Sequence, residues 1–132
     1  MGAGFTGGAV VTRYFRPTLD IPDIYLYREP VDFRKAANGL AAIVIQELGR
    51  DPFEGALYAF TNRQRTKIKC LYWEDNGFVL YYKALAEDKF HWPIKGEGDV
   101  MTLDGQQINW LLDGYDIRLL KQHKKLHYEA LF

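Results

Sequence analysis

The sequence predicts an α+β fold: an antiparallel β-meander of three or more strands, a long helix packed on one face, and a shorter C-terminal helix. Three observations carry this expectation. Phe33, Ala37, Leu40, Val44 and Leu48 recur at helical spacing. Residues 56–84 alternate short runs rich in β-branched and aromatic side chains with polar turns. Asn76-Gly77 falls between two such runs and is a strong hairpin signal, because a type I′ turn needs positive φ at both central positions.

Each element can be justified in turn. Residues 1–17 hold Gly2, Gly4, Gly7 and Gly8 without periodicity, so they read as an unstructured leader ahead of a single domain at 18–117. The Pro22-Asp23 turn signal precedes a short strand from Ile24 to Tyr27. Asp32 stands where an N-cap belongs, its carboxylate able to accept the unpaired amides of the next turn. The helix it opens runs until Gly49 caps it, and Pro52 prevents a restart. Gly39, inside that helix, suggests a close backbone approach.

Strands are expected at 56–61, 66–74 and 78–84, with Pro93 closing the meander. Residues 100–103 add a further short strand. Asp104 caps a second helix that runs to Asp113, buries Ile108, Leu111 and Leu112, and ends at Gly114. Residues 118–132 form a basic tail with Arg118, Lys121, Lys124 and Lys125.

The turns imply a register. A two-residue turn at Asn76-Gly77 sets Tyr72 opposite Tyr81 and Trp73 opposite Leu80. A four-residue loop at 62–65 sets Phe60 opposite Lys67 and Tyr58 opposite Lys69. Alternation then divides the sheet. One face takes Leu57, Ala59, Ile68, Cys70, Tyr72, Val79, Tyr81 and Lys83, whose smaller side chains suit an overlying helix. The other takes Tyr58, Phe60, Lys67, Lys69, Leu71, Trp73, Phe78, Leu80 and Tyr82. This second face reads either as core beneath the C-terminal helix or a second copy, or as an exposed platform. In the latter reading Tyr58, Phe60, Trp73 and Tyr82 stack bases while lysines neutralise phosphates.

Composition narrows the function. Seventeen basic residues balance seventeen acidic ones, so attraction to a polyanion must come from local clustering. The densest cluster is Arg63, Arg65, Lys67 and Lys69 at a hairpin end, a geometry suited to phosphate contacts. Arg34 and Lys35, in a first helical turn where cations oppose the macrodipole, point to a partner anion.

Catalytic patterns are missing. The acids Asp32, Asp75, Asp104 and Asp113 are scattered in caps and turns, unlike the gathered carboxylates of a metal nuclease. Cys70, the single cysteine, lies mid-strand without an evident base and reads as a buried thiol. His123 and His127 stand at i, i+4 without a third ligand. No cofactor, metal site or membrane segment is expected, and the compartment is expected to be cytoplasmic.

The ordered set Val31-Asp32-Phe33-Arg34-Lys35, Gly39-Leu40-Ala41-Ala42 and Asp51-Pro52-Phe53-Glu54-Gly55 resembles the TnpB accessory-protein family of insertion sequence 66 elements. Phe60-Thr61-Asn62-Arg63, Lys69-Cys70-Leu71-Tyr72-Trp73, Gly77 to Lys83 and Phe90-His91-Trp92-Pro93 continue the likeness across residues 22–115. The resemblance implies a non-catalytic helper in DNA transposition, encoded beside a separate transposase. It is distinct from the RNA-guided nucleases that share the name. Implied partners are the transposase of the same element and element DNA, while the aromatic sheet face leaves a second copy of the chain as a further partner. Asn62, Arg63, Lys69 and Lys83 would then contact DNA or the transposase. The alternative is a protein-only adaptor or dimerisation module using the aromatic face without DNA contact.

Overall fold

A computed structural model describes residues 21 and 23–120. The elements follow in the order β1 (Ile24–Tyr27), α1 (Ala37–Gln46), β2 (Leu57–Thr61), β3 (Lys67–Glu74), β4 (Gly77–Ala84), β5 (Val100–Leu103) and α2 (Gly105–Leu112). They form a mixed α+β structure with one five-stranded sheet in the order β4-β3-β2-β1-β5. The expected leader and most of the basic tail, with Lys121, Lys124, Lys125, His123 and His127, lie outside the described residues. No described helix is long and apolar enough to cross a membrane.

The sheet departs from the purely antiparallel expectation. β2, β3 and β4 pair antiparallel in succession, but β1 lies parallel to β2 and antiparallel to β5. α1 makes the crossover that a parallel pair requires. Local turn signals cannot reveal such a pairing, because its partners are far apart in the chain.

Both hairpin registers also differ from expectation. Phe60 faces Lys69 and Tyr58 faces Leu71, while Tyr72 faces Val79 and Trp73 faces Phe78. The β3–β4 turn is Asp75-Asn76, between the paired Glu74 and Gly77, with Asp75 at φ +50. Each register is two residues from the expected one. An even slip preserves which side chains share a face, and the facial partition therefore holds.

One core cluster joins Leu57, Ala59, Ile68, Cys70 and Tyr72 to Ile108, Leu111 and Leu112 of α2. The other joins Tyr58, Phe60 and Leu71 to Leu40, Ala41 and Val44 of α1. The helices have therefore exchanged the faces expected of them. Burying a side chain such as Leu40 or Val44 contributes roughly 1.5–3 kcal/mol.

The first helix is also shorter than its apolar spacing suggested. Asp32 does not cap it; Ala36 occupies the N-cap without a side-chain bond. Residues 32–35 instead form a separate turn, in which Asp32 Oδ1 accepts from the Arg34 amide at 2.9 Å. At the far end Gly49, at φ +64, reverses the chain so that the Arg50 amide reaches the Val44 carbonyl. The close approach at Gly39 is to Lys35, whose Cβ would stand 3.0 Å from an added methyl. α2 begins as expected: Asp104 accepts from the Gln107 amide at 2.8 Å and Gln107 Oε1 accepts in return at 2.9 Å, a capping box.

Candidate nucleic-acid interface

Residues 30–34 follow β1, and residues 62–66 connect β2 to β3. Because β1 and β2 run parallel, these segments emerge at the same end of the sheet, and the Val31 amide bonds the Thr61 carbonyl at 2.9 Å. Between them lies a groove of about 560 Å³ lined by cationic Arg34, Arg63 and Lys67, polar Asn62 and Gln64, and Tyr82 from β4. A second cavity of about 300 Å³ shares Pro30 and Arg63 with it and adds Arg28 and Arg65. Along this track five cations face two carboxylates, Glu29 and Asp32.

Asn62 builds the loop. Its Oδ1 accepts from the amides of Thr66 at 2.9 Å and Lys67 at 3.1 Å, while its Nδ2 donates to Gln64 and Thr66 side chains. The polar atoms of this buried side chain are thereby satisfied, while Arg63 and Gln64 are exposed and Arg65 is half-buried. Arg65 stands at φ +60, a left-handed conformation uncommon for any residue with a Cβ. Its carbonyl accepts from the Phe90 amide at 2.8 Å, which ties the loop to the segment after β4.

The charges differ in availability. Ion pairs among the described residues join Arg34 to Asp32 at 2.6 Å and Arg118 to Asp116 at 2.8 Å. Hydrogen bonding from the Arg34 guanidinium holds the Asp32 carboxyl down at about 2, and Asp32 in turn raises the Arg34 pKa. Arg28 Nη1 donates to the carbonyls of Pro93 at 3.0 Å and Lys95 at 2.9 Å, with Nε buried and lacking a hydrogen-bond partner. Its guanidinium occupies the space a side chain at Gly96 would need. Arg63, Arg65 and Lys67 make no side-chain hydrogen bond or ion pair with the described residues.

Of the residues expected at an interface, the structure gathers Arg34, Arg63, Arg65, Lys67 and Tyr82. Lys69 is a correction: it is buried, donating to the Phe33 and Lys35 carbonyls, both at 2.8 Å. Those carbonyls would otherwise serve a continuing helix, which is why residues 32–35 stand apart from α1. Lys83 is a second correction. It lies on the opposite face, donating to the Leu112 carbonyl at 2.6 Å, where a cation meets the negative end of α2. Lys35 is exposed but does not line the groove.

The continuous aromatic platform is not formed. Tyr58 and Phe60 are 2% and 0% exposed beneath α1. Trp73 sits near the opposite end of β3, about 20 Å from Lys67 by strand rise, packed edge-on against Phe53 and Phe78. Only Tyr82 of the four stands at the groove, 50% exposed. Arg28 and Gln64 were not anticipated; parallel pairing of β1 with β2 brings Arg28 into place. No group of three His, Cys, Asp or Glu side chains among the described residues could hold a metal ion.

The family described as IS66 Orf2-like protein matches residues 22–122. The chain is 31% identical over 99 residues to the uncharacterized protein y4jC of Sinorhizobium fredii, covering 75% of this chain and 84% of that one. It is also 31% identical over 87 residues to y4hO of the same organism, covering 66% and 75%. No solved structure matches.

Proposed function

The chain belongs to the IS66 Orf2-like family, which has a transposition-related accessory role, and from that premise we propose that it contacts element DNA through the groove at residues 30–34 and 62–67. The observation that carries the proposal is the set of cations Arg63, Arg65 and Lys67, unpaired among the described residues, on one loop and the first residue of the strand it leads into, in a chain with zero formal charge. Each phosphate neutralised there would release condensed counterions and make affinity depend on salt. The protein would act beside the transposase in the cytoplasm, positioning DNA without performing chemistry on it.

The test is a titration of element-end DNA with the full chain at several salt concentrations. Affinity should fall steeply with salt, and Arg63→Ala combined with Arg65→Ala should flatten that dependence by about one to two units of slope. No binding, or binding indifferent to salt, would refute the proposal.

A second reading has its own observation. Phe53 is 53% exposed and packs 4.9 Å from Trp73 and 5.3 Å from Phe78. This aromatic cluster suits a protein partner, with the transposase the natural candidate. Loss of transposase capture on Phe53→Ser, with DNA binding retained, would support that additional contact.

A further inference from the structure

The two helices, Ala37–Gln46 and Gly105–Leu112, contain no charged residue. Helices that read a duplex major groove combine base-edge donors with nearby phosphate contacts. Neither α1 nor α2 supplies a cation for this purpose, and the sheet faces are packed against them. The available cations line a concavity made by loops, and the aromatic residues on its wall are Phe33, half-buried, and Tyr82, the more open of the two.

Tyr82 is held in place while half of it stays open. Phe33 meets its ring edge-on at 6.0 Å and 87°, and the Lys69 ammonium lies 5.3 Å from its centroid. Lys69 is fixed by its two carbonyl bonds, which limits the freedom of the ring beside it. Base pairs inside a duplex already stack on their neighbours. An unpaired base can leave its stack and lay its face on a fixed aromatic ring, and cations to either side then follow the phosphates.

We infer that the groove takes single-stranded DNA, with one base against Tyr82 and adjoining phosphates at Arg63 and Lys67. The inference rests on the DNA-contact proposal above and specifies the form of DNA bound. The polar side chains of Asn62 and Gln64 line the same groove. Arg65 and Arg28 extend the cationic track through the adjoining cavity.

Fluorescence anisotropy of the full chain at fixed salt tests it. The probes are a labelled 12-nucleotide DNA strand, the corresponding duplex, and a strand of equal length with abasic sites throughout. The intact strand should bind at least tenfold tighter than the duplex. Removing the bases should weaken strand binding by on the order of tenfold, the usual effect of losing a stacked base. Tyr82→Ala should match that loss for the strand, whereas Tyr82→Phe should retain strand binding. The abasic comparison uses the unaltered protein and does not depend on the variants folding. Duplex binding as tight as strand binding, or an abasic strand binding as well as the intact one, overturns this inference alone. Failure of both DNA forms to bind overturns it together with the proposal beneath it.

Discussion

Lys69 Nζ donates to the Phe33 carbonyl at 2.8 Å, linking the middle strand of the antiparallel half to a turn 36 positions earlier. A second bond to Lys35 at 2.8 Å completes the clamp. Charge-assisted bonds of a buried ammonium are costly to remove, since the part-buried acceptors lose partners and regain water incompletely. Lys69→Met keeps the apolar stem and deletes both donors. It should lower unfolding free energy by about 2–4 kcal/mol in urea titration. An unchanged denaturation midpoint would show that the clamp carries no stability.

Arg65 makes the opposite prediction. Its φ of +60 is relieved by glycine, which should offset the loss of chain stiffness and raise stability by up to about 1 kcal/mol. Arg65→Gly should at the same time weaken DNA binding and reduce its salt slope by about 0.7–0.9. Melting temperature and salt titration on one variant separate the two effects.

Asp32 restrains Arg34. Asp32→Asn keeps an oxygen for the Arg34 amide but removes the charge that occupies the guanidinium. Affinity for DNA at neutral pH should rise, with a steeper salt dependence. The same pair predicts an acid response. Because Arg34 holds the Asp32 carboxyl at about 2 against an ordinary 3.8, its stabilising effect is present above 3.8 and lost as pH falls through about 2. The tight pairing of residues 32 and 34, followed by the chemical shift of the Arg34 guanidinium proton, should dissolve in that window.

Alkaline conditions act through the core. Burial raises the pKa of Tyr27, Tyr58 and Tyr72 above the ordinary 10.0. A phenol raised in the folded state gives stability that is complete below 10.0 and lost as pH rises through the higher folded value. Urea titrations should show stability falling above pH 10, with a smaller fall in Tyr58→Phe. An equal fall in that variant would exclude Tyr58 as a contributor.

Local chemistry was legible in the sequence wherever a local rule decided the outcome. The strand at Ile24–Tyr27 and the Asp104 N-cap each follow from neighbouring residues, whereas the first helix stops at Gln46 with Glu47 as its C-cap, short of Gly49. The facial partition withstood the register errors because they were even-numbered. Long-range choices were not legible. Which helix covers which face depends on chain crossovers, and no spacing rule told the inward-reaching Lys69 and Lys83 from the outward-facing Arg63 and Lys67. A lysine's flexible hydrocarbon stem can deliver its charge to water or to a distant carbonyl. Tertiary geometry decides between them.

The placement of β1 has a consequence for biosynthesis. Its neighbours are β2 on one side and β5 on the other, and Ile24 pairs with Leu103. During translation this strand leaves the ribosome before β5, and its second ladder cannot close until Val100–Leu103 has emerged. Until then the nascent chain carries an open hydrogen-bonding edge able to recruit other polypeptides. Messages cut short before the codons for Val100–Leu103 should therefore yield aggregating fragments rather than smaller folded units.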